Sequence, residues 1–198
     1  FAFEEMFVIL VARAKERAEN DALPAFQIDR GDEYAQRFLT STPLTPTRAQ
    51  HVAINDILID LKKAHPMARL LEGDVGSGKT LVAAAACYAI VNSVPKGQKF
   101  GTLQVAYMAP TEILAGQHFQ SFVEYFRHLP INIALLTGSG CKKFPSKSSP
   151  GKATDISKTQ LLKWIGSGEI PILIGTHSLI QKSVKFKHLA CVYIDEQH

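Results

Sequence analysis

Eight consecutive residues have the types and spacing to hold a polyphosphate. They are Gly73-Asp74-Val75-Gly76-Ser77-Gly78-Lys79-Thr80, and they fit the pattern G-x-x-x-x-G-K-[ST] in full. Gly73, Gly76 and Gly78 let the backbone turn at positive φ and come close to the ligand. The backbone N–H groups of the loop, through Asp74 and Ser77, then form an anion nest at a helix N-terminus. Lys79 can reach the β- and γ-phosphates, and the Thr80 hydroxyl can ligate Mg²⁺. A second constellation ends the chain, where Val192-Tyr193-Ile194 runs into Asp195-Glu196. Asp195 is placed to hold Mg²⁺ opposite Thr80, directly or through water. Glu196, one residue further along the strand tip, is placed to polarise a water beyond the γ-phosphate as general base. Two acids at a strand end are common; joined to the phosphate loop on one sheet edge they are specific. ATP and Mg²⁺ are therefore the expected ligands. His198 beside two carboxylates has no partner at zinc-ligand spacing.

These groups need elements to position them. From Met67 onward, apolar stretches alternate with amphipathic ones. Strands are expected at 69–72, 104–109, 132–137, 171–175 and 191–194. Helices are expected at about 79–92, 112–128, 156–165 and, more briefly, 178–181. Such alternation implies an α/β fold with a parallel sheet covered by helices on both faces. Right-handed crossovers then bring all strand C-termini to one edge, where ligands bind. Five loops with unusual chemistry follow strands: 73–80, 109–112, 137–140, 175–178 and 195–198. On one rim they make a composite site.

Upstream, residues 1–20 read as a helix with Phe3, Met6, Phe7, Leu10 and Val11 at helical spacing, a packing or connector helix. Residues 21–32 carry Pro24 and Gly31 and read as a linker. A short helix is expected at 33–39. Another is expected from about Pro46 to Ala64, capped by Thr45 or Thr47 and stopped at His65-Pro66. The expected organisation is a helical connector over 1–32 and a nucleotide-binding domain over 33–198.

Composition sets bounds. A chain of 198 residues with 46% hydrophobic and 20% charged residues can bury one good-sized core. The net charge of +4 permits a nucleic-acid partner without requiring one. Two stretches concentrate the positive charge. Residues 141–152 carry Lys142, Lys143, Lys147 and Lys152 with no acid, among prolines, serines and Gly151. They are expected to be irregular and to offer a phosphate surface, with a solvated loop as the bland alternative. Residues 182–188 alternate lysine with apolar residues. The three cysteines have neither metal-ligand nor C-x-x-C spacing, which fits a reducing, cytosolic compartment. The apolar run 81–91 is too short to span a bilayer, and no secretory signal opens the chain.

The loops together go beyond a generic phosphate-binding fold. Residues 43–50, 69–80, 108–119 (Met-Ala-Pro-Thr-Glu-Ile-Leu-Ala-Gly-Gln-His-Phe), 135–139, 174–181 and Asp195-Glu196-Gln197-His198 resemble the first motor domain of superfamily 2 DNA helicases, within them the RecG family of branch-migration helicases. The resemblance implies a RecA-like P-loop NTPase domain preceded by a connector helix. It implies ATP-driven remodelling of branched double-stranded DNA, forks and Holliday junctions, in the bacterial cytoplasm at the nucleoid. It assigns Gln50, with Thr45 nearby, to adenine. It assigns Thr111-Glu112, Ser139 and Thr176-His177 to a DNA strand backbone, where hydroxyls and loop N–H groups suit phosphates. It gives Gln197 and His198 the coupling of the nucleotide site to DNA. Thr111-Glu112 also reads as a plain helix start with an acid in its first turn, and the two readings are compatible.

A start at Phe1 and an end just past the two acids lead to the expectation of a piece of a larger protein. The resemblance implies that a second motor domain with an arginine finger and an N-terminal wedge domain lie outside it. The isolated piece would then hydrolyse little ATP. Other readings stay open at this point. The transcription-repair coupling translocase and the primosomal helicase share the phosphate loop, whereas Thr111 to Ala115 and residues 195–198 favour the RecG type. A P-loop small-molecule kinase would leave the Asp-Glu-Gln-His end and the Pro-Thr-Glu loop without a role. A non-catalytic nucleic-acid-binding module would not need Lys79, Asp195 and Glu196 together.

Overall fold

The computed structural model describes residues 2–94, 97, 99, 102–146, 149 and 151–195. Glu196, Gln197 and His198, together with Lys147, fall outside the described residues. Six strands form one sheet: β1 (Gln104–Met108), β2 (Ile133–Leu136), β3 (Cys141–Phe144), β4 (Thr154–Ile156), β5 (Ile172–Gly175) and β6 (Leu189–Ile194), in the order β4-β3-β2-β5-β1-β6. β2, β5, β1 and β6 run parallel. Every residue of β2 and β5 is buried, as parallel strands covered on both faces require.

The side chains of these strands alternate between two apolar layers, as the two-residue period of a strand demands. Val105, Tyr107, Ile133, Leu135, Ile172 and Ile174 join the larger core. Ala106, Ala134, Leu136 and Leu173 join a second core with Leu161 and Ile165 of helix α6 (Lys158–Ser167). On the larger side lie α2 (Gly31–Ser41), α3 (Arg48–Leu61), α4 (Lys79–Asn92) and α5 (Glu112–Phe126). Helix α4 is buried continuously from Leu81 to Val91, and its run of alanines lets neighbouring elements approach closely all round. Gln104 is the buried polar residue of β1. Its amide donates to the Ile165 and Ile170 carbonyls and accepts from the Lys187 and His188 N–H groups, which fixes the entry to β6.

Four expectations are corrected. The sheet is mixed, because the connection from β2 to β3 spans only residues 137–140; so short a link permits an antiparallel neighbour and no parallel one. The stretch 141–152 is therefore only partly irregular: β3 pairs with β2 and β4 with β3. Within β3, Lys142 is exposed but Lys143 is buried, its ammonium donating to the Pro145 carbonyl at 2.8 Å and lying 5.9 Å from the centre of the Trp164 ring. The segment 69–72 is not a strand. It runs beside α3, with Arg69 paired to Asp60 at 2.7 Å, and has no ladder partner among the described residues. The residues of the expected apolar face of α1 (Ala2–Asp21) at Met6, Phe7, Leu10 and Val11 are all exposed.

Core packing begins ahead of α2. Ile28 is buried, and the N–H groups of Ala25 and Ile28 donate to the Ala64 and Leu61 carbonyls. Cys87 and Cys141 are buried and Cys191 is half-buried. Burial pushes all three thiols up, Cys191 to about 11, which favours the protonated form at neutral pH. No helix among the described residues is long and apolar enough to cross a membrane.

Candidate nucleotide cleft and nucleic-acid rim

The phosphate loop turns into α4 through two left-handed glycines, Gly76 (φ 81°) and Gly78 (φ 83°). A side chain at Gly78 would meet more than backbone strain, since its Cβ would lie 2.3 Å from Gln50 Nε2. Lys79 curls back over the loop and donates to the carbonyls of Gly73 (2.6 Å) and Asp74 (2.9 Å). Asp74 and Ser77 are exposed, and the Ser77 N–H closes the turn onto the Asp74 carbonyl.

Gln50 locks this loop to α3. Thr47, not Thr45, caps α3: its hydroxyl accepts from the Gln50 N–H, and Gln50 Oε1 accepts from the Thr47 N–H at 2.8 Å. The same Gln50 amide donates to the Ser77 carbonyl at 2.8 Å. An amide has two N–H donors and two oxygen lone pairs, so one of each remains for a ligand. Thr45 is exposed at the entry to α3.

The loop opens on a cleft of about 1920 Å³ whose lining includes Gly73, Lys79, Thr80, Tyr107, His118 and Asp195. Thr80 and Asp195, far apart in sequence, thus face one space. Their donor set, a hydroxyl and a carboxylate, fits Mg²⁺, which prefers oxygen ligands and usually takes few from protein, the rest from water and substrate phosphates. Among the described residues no cluster of three or more His, Cys, Asp and Glu could hold a metal; Glu196 and His198 lie outside those residues.

Two residues of this cleft carried no role in the sequence reading. His118 Nε2 lies 2.6 Å from Asp195 Oδ2. Tyr107 packs its ring 4.8 Å from that of His118, and burial, then the Asp195 charge, pushes its phenol well above the ordinary range, against a hydrogen bond with Thr80. His118 had a legible signal. It falls on the stripe Leu114, Ala115, Phe119 and Phe122, which faces the core, and a polar residue in such a stripe needs a partner.

The other loops gather at the C-terminal ends of β1, β2 and β5. Thr111 caps α5 by accepting from the Leu114 N–H at 3.2 Å. Glu112 reaches across to the loop after β2, where its Oε1 accepts from the Ser139 N–H at 3.2 Å. The Ser139 hydroxyl, then the backbone N–H groups of Gly138 and Ser139, hold this carboxyl below its usual range. Ser139 and Thr137 share a hydroxyl contact at 3.0 Å. After β5, Thr176 lies 3.4 Å from Ser178, whose hydroxyl donates to the Leu136 carbonyl, and exposed His177 opens a 3-10 turn (His177–Ile180). The rim thus ties Glu112 directly to Ser139, with Thr111 beside it at the start of α5, and sets Thr176 and His177 at the end of the next strand.

Residues 47–198 match the model of the DEAD/DEAH box helicase family. The chain is 39% identical over 196 residues to an ATP-dependent DNA helicase RecG of Aquifex aeolicus, covering 99% of this chain and 22% of that protein. It is 40% identical over 199 residues to its counterpart in Bacillus subtilis, covering 100% of this chain and 26% of the relative. A solved structure of RecG bound to a three-way DNA junction superposes with a TM-score of 0.80 at 38% identity, over 99% of this chain and 24% of that one. The chain therefore spans about a quarter of the length of these relatives. The mostly parallel sheet flanked by helices matches the RecA-like domain of that structure, and the chain belongs to the DEAD/DEAH box helicase family.

Proposed function

We propose that the protein carrying this chain is an ATP-driven translocase that remodels branched double-stranded DNA, forks and Holliday junctions, in recombination and repair. The observation that carries this reading is the meeting of Thr80, Lys79 and Asp195 in one cleft, beside a rim of hydroxyl-bearing loops. Residues 33–198 act as the first motor domain and 1–32 as its connector. A second motor domain with an arginine finger and an N-terminal wedge complete the machine in cis, in the bacterial cytoplasm at the nucleoid. The RecG relatives and the junction-bound neighbour support branched DNA as the substrate.

In this reading the loop N–H groups around Gly73 to Gly78 and the Lys79 ammonium hold the triphosphate, and the free half of the Gln50 amide meets adenine, with Thr45 alongside. Thr80 and Asp195 would hold Mg²⁺, which would supply positive charge against the phosphates during transfer. Glu196 takes a proton from the water that attacks the γ-phosphorus, and the bond to the bridging oxygen breaks to release ADP. Thr111, Glu112, Ser139, Thr176 and His177 hold a DNA strand by its phosphates. Gln197 and His198 connect that grip to the nucleotide.

The test is ATP hydrolysis by the full-length protein with no DNA, with linear duplex and with a three-way junction. Junction DNA is expected to stimulate most, and Glu196→Gln to cut the stimulated rate by about 10²-fold or more while ATP still binds. A parent-like rate in Glu196→Gln would remove the general-base assignment; equal rates with and without DNA would remove the translocase.

Exposed Lys142 is a further phosphate contact. Lys142→Ala is expected to flatten the salt dependence of DNA binding, lowering the log–log slope by about 1. Lys143 is excluded from this role by its burial. An unchanged slope in Lys142→Ala assigns that side chain to solvent.

A further inference from the structure

Asp195 is held through both its backbone and its side chain. Its backbone N–H donates to the Met108 carbonyl at 2.8 Å, which continues the ladder between β6 and β1. Its side chain meets His118 of α5, with Nε2 2.6 Å from Oδ2 and only 14% and 21% of the two side chains exposed. A carboxylate offers acceptors alone, so Nε2 carries the hydrogen and donates. The imidazole has little room to leave this position. It packs on Tyr107, and Tyr107 in turn stacks on Tyr193 at 5.8 Å and meets Phe122 edge-on at 5.5 Å. Swinging His118 away would open a gap in that aromatic stack and leave its N–H without a partner.

We propose that His118 is the positioning residue of the metal site: by binding Oδ2 it turns Oδ1 of Asp195 toward the cation beside Thr80. The proposal deepens the nucleotide-site reading above and rests on it. In this role His118 acts through the Asp195 carboxylate, the side chain its Nε2 meets. Outer-sphere partners of this kind set the orientation of a ligand, and their loss typically weakens metal affinity by about 10–100-fold. Helix α5 gives the arrangement its rigidity, because the same helix is fixed at its start by Thr111 and Glu112.

The test uses the full-length protein and a fluorescent ADP analogue whose binding is titrated with Mg²⁺. Four variants are compared: His118→Ala, His118→Leu, His118→Gln and Asp195→Asn, with circular dichroism melting as the control for folding. His118→Ala is expected to raise the half-saturating Mg²⁺ by about tenfold or more, with ADP binding in EDTA unchanged. His118→Leu keeps the volume and carries the comparison if the alanine variant melts early. His118→Gln is expected to recover most of the loss, because its amide N–H can sit where Nε2 does. An unshifted half-saturation in His118→Ala, alongside a raised one in Asp195→Asn, overturns the proposal and leaves the nucleotide site standing. A glutamine variant as weak as the leucine variant also overturns it, assigning the loss to packing. If Asp195→Asn itself shifts nothing, the metal site is elsewhere and both readings fall.

Discussion

Lys79→Ala in the full-length protein is expected to lower DNA-stimulated ATP hydrolysis by about 10³-fold or more, the scale on which a cation placed on a transferring phosphoryl group acts. Two features of the structure make the loss chemical rather than structural. The Lys79 ammonium lies on the surface of the loop, and its partners are the Gly73 and Asp74 carbonyls, which water can satisfy in its absence. The aliphatic stem is only half-buried, and the turns of α4 behind it hold the dense packing from Leu81 onward. The melting temperature of Lys79→Ala should therefore stay close to that of the parent. Steady-state hydrolysis on junction DNA, with melting as control, checks both halves. A variant that keeps its rate would show that the ammonium does not touch the transferring phosphate. Equal losses of rate and fold would show that the lysine holds the loop together instead.

The second large effect is on stability and falls at Gly175. A Cβ at this position would lie 2.3 Å from the Leu136 carbonyl oxygen and 2.9 Å from a Leu179 methyl. The first obstacle is backbone of the neighbouring strand, directly opposite in register, and it cannot rotate away as a side chain could. Gly175→Ala must separate β2 from β5 in the middle of the sheet or bend the turn into Thr176. Overpacking of this kind costs about 1–3 kcal/mol, and a backbone obstacle puts the change at about 3 kcal/mol or above. Gly116 supplies the opposite case. It lies within α5 with nothing within 4 Å of an added Cβ, so Gly116→Ala should stabilise by about 0.5–1 kcal/mol. Hydrogen exchange of the β2 and β5 amides in the full-length protein separates the two. Protection should fall in the first variant and hold or rise in the second. Unchanged protection in Gly175→Ala would mean that the added methyl does not push the two strands apart.

Much of this molecule is written in short stretches. The phosphate loop is contiguous, and its glycine pattern already carries the positive φ that Gly76 and Gly78 adopt. Helix α4 starts at Lys79 and ends at Asn92, as expected, because a glycine turn and a polar end bracket an unbroken apolar run. The strands β1, β2, β5 and β6 were legible as apolar runs between amphipathic helices, and their parallel pairing brings the loops to one rim.

Tertiary structure decided the rest, and in each instance the reason is a partner distant in sequence. Residues 69–72 have the apolar look of a strand, yet strand geometry needs a hydrogen-bonded neighbour, and the described chain supplies none there. Residues 141–144 have the lysines and the following proline of a loop, yet β2 offers them a ladder, and register sends Lys142 to solvent and Lys143 inward. Glu112 is a helix-start acid by local reading; the fold adds its tie to the Ser139 loop. Gln50 is half of a capping box by local reading; the fold also sets its amide on the phosphate loop. His118 is the clearest example. Sequence alone marks it as a polar residue on a buried stripe, and only the parallel pairing of β1 with β6, beneath α5, brings Asp195 to its imidazole. Local sequence determined the φ, charge and donors that each loop offers, since these lie close together in the chain. Which groups act on one another depended on sheet order and register, which no single stretch encodes.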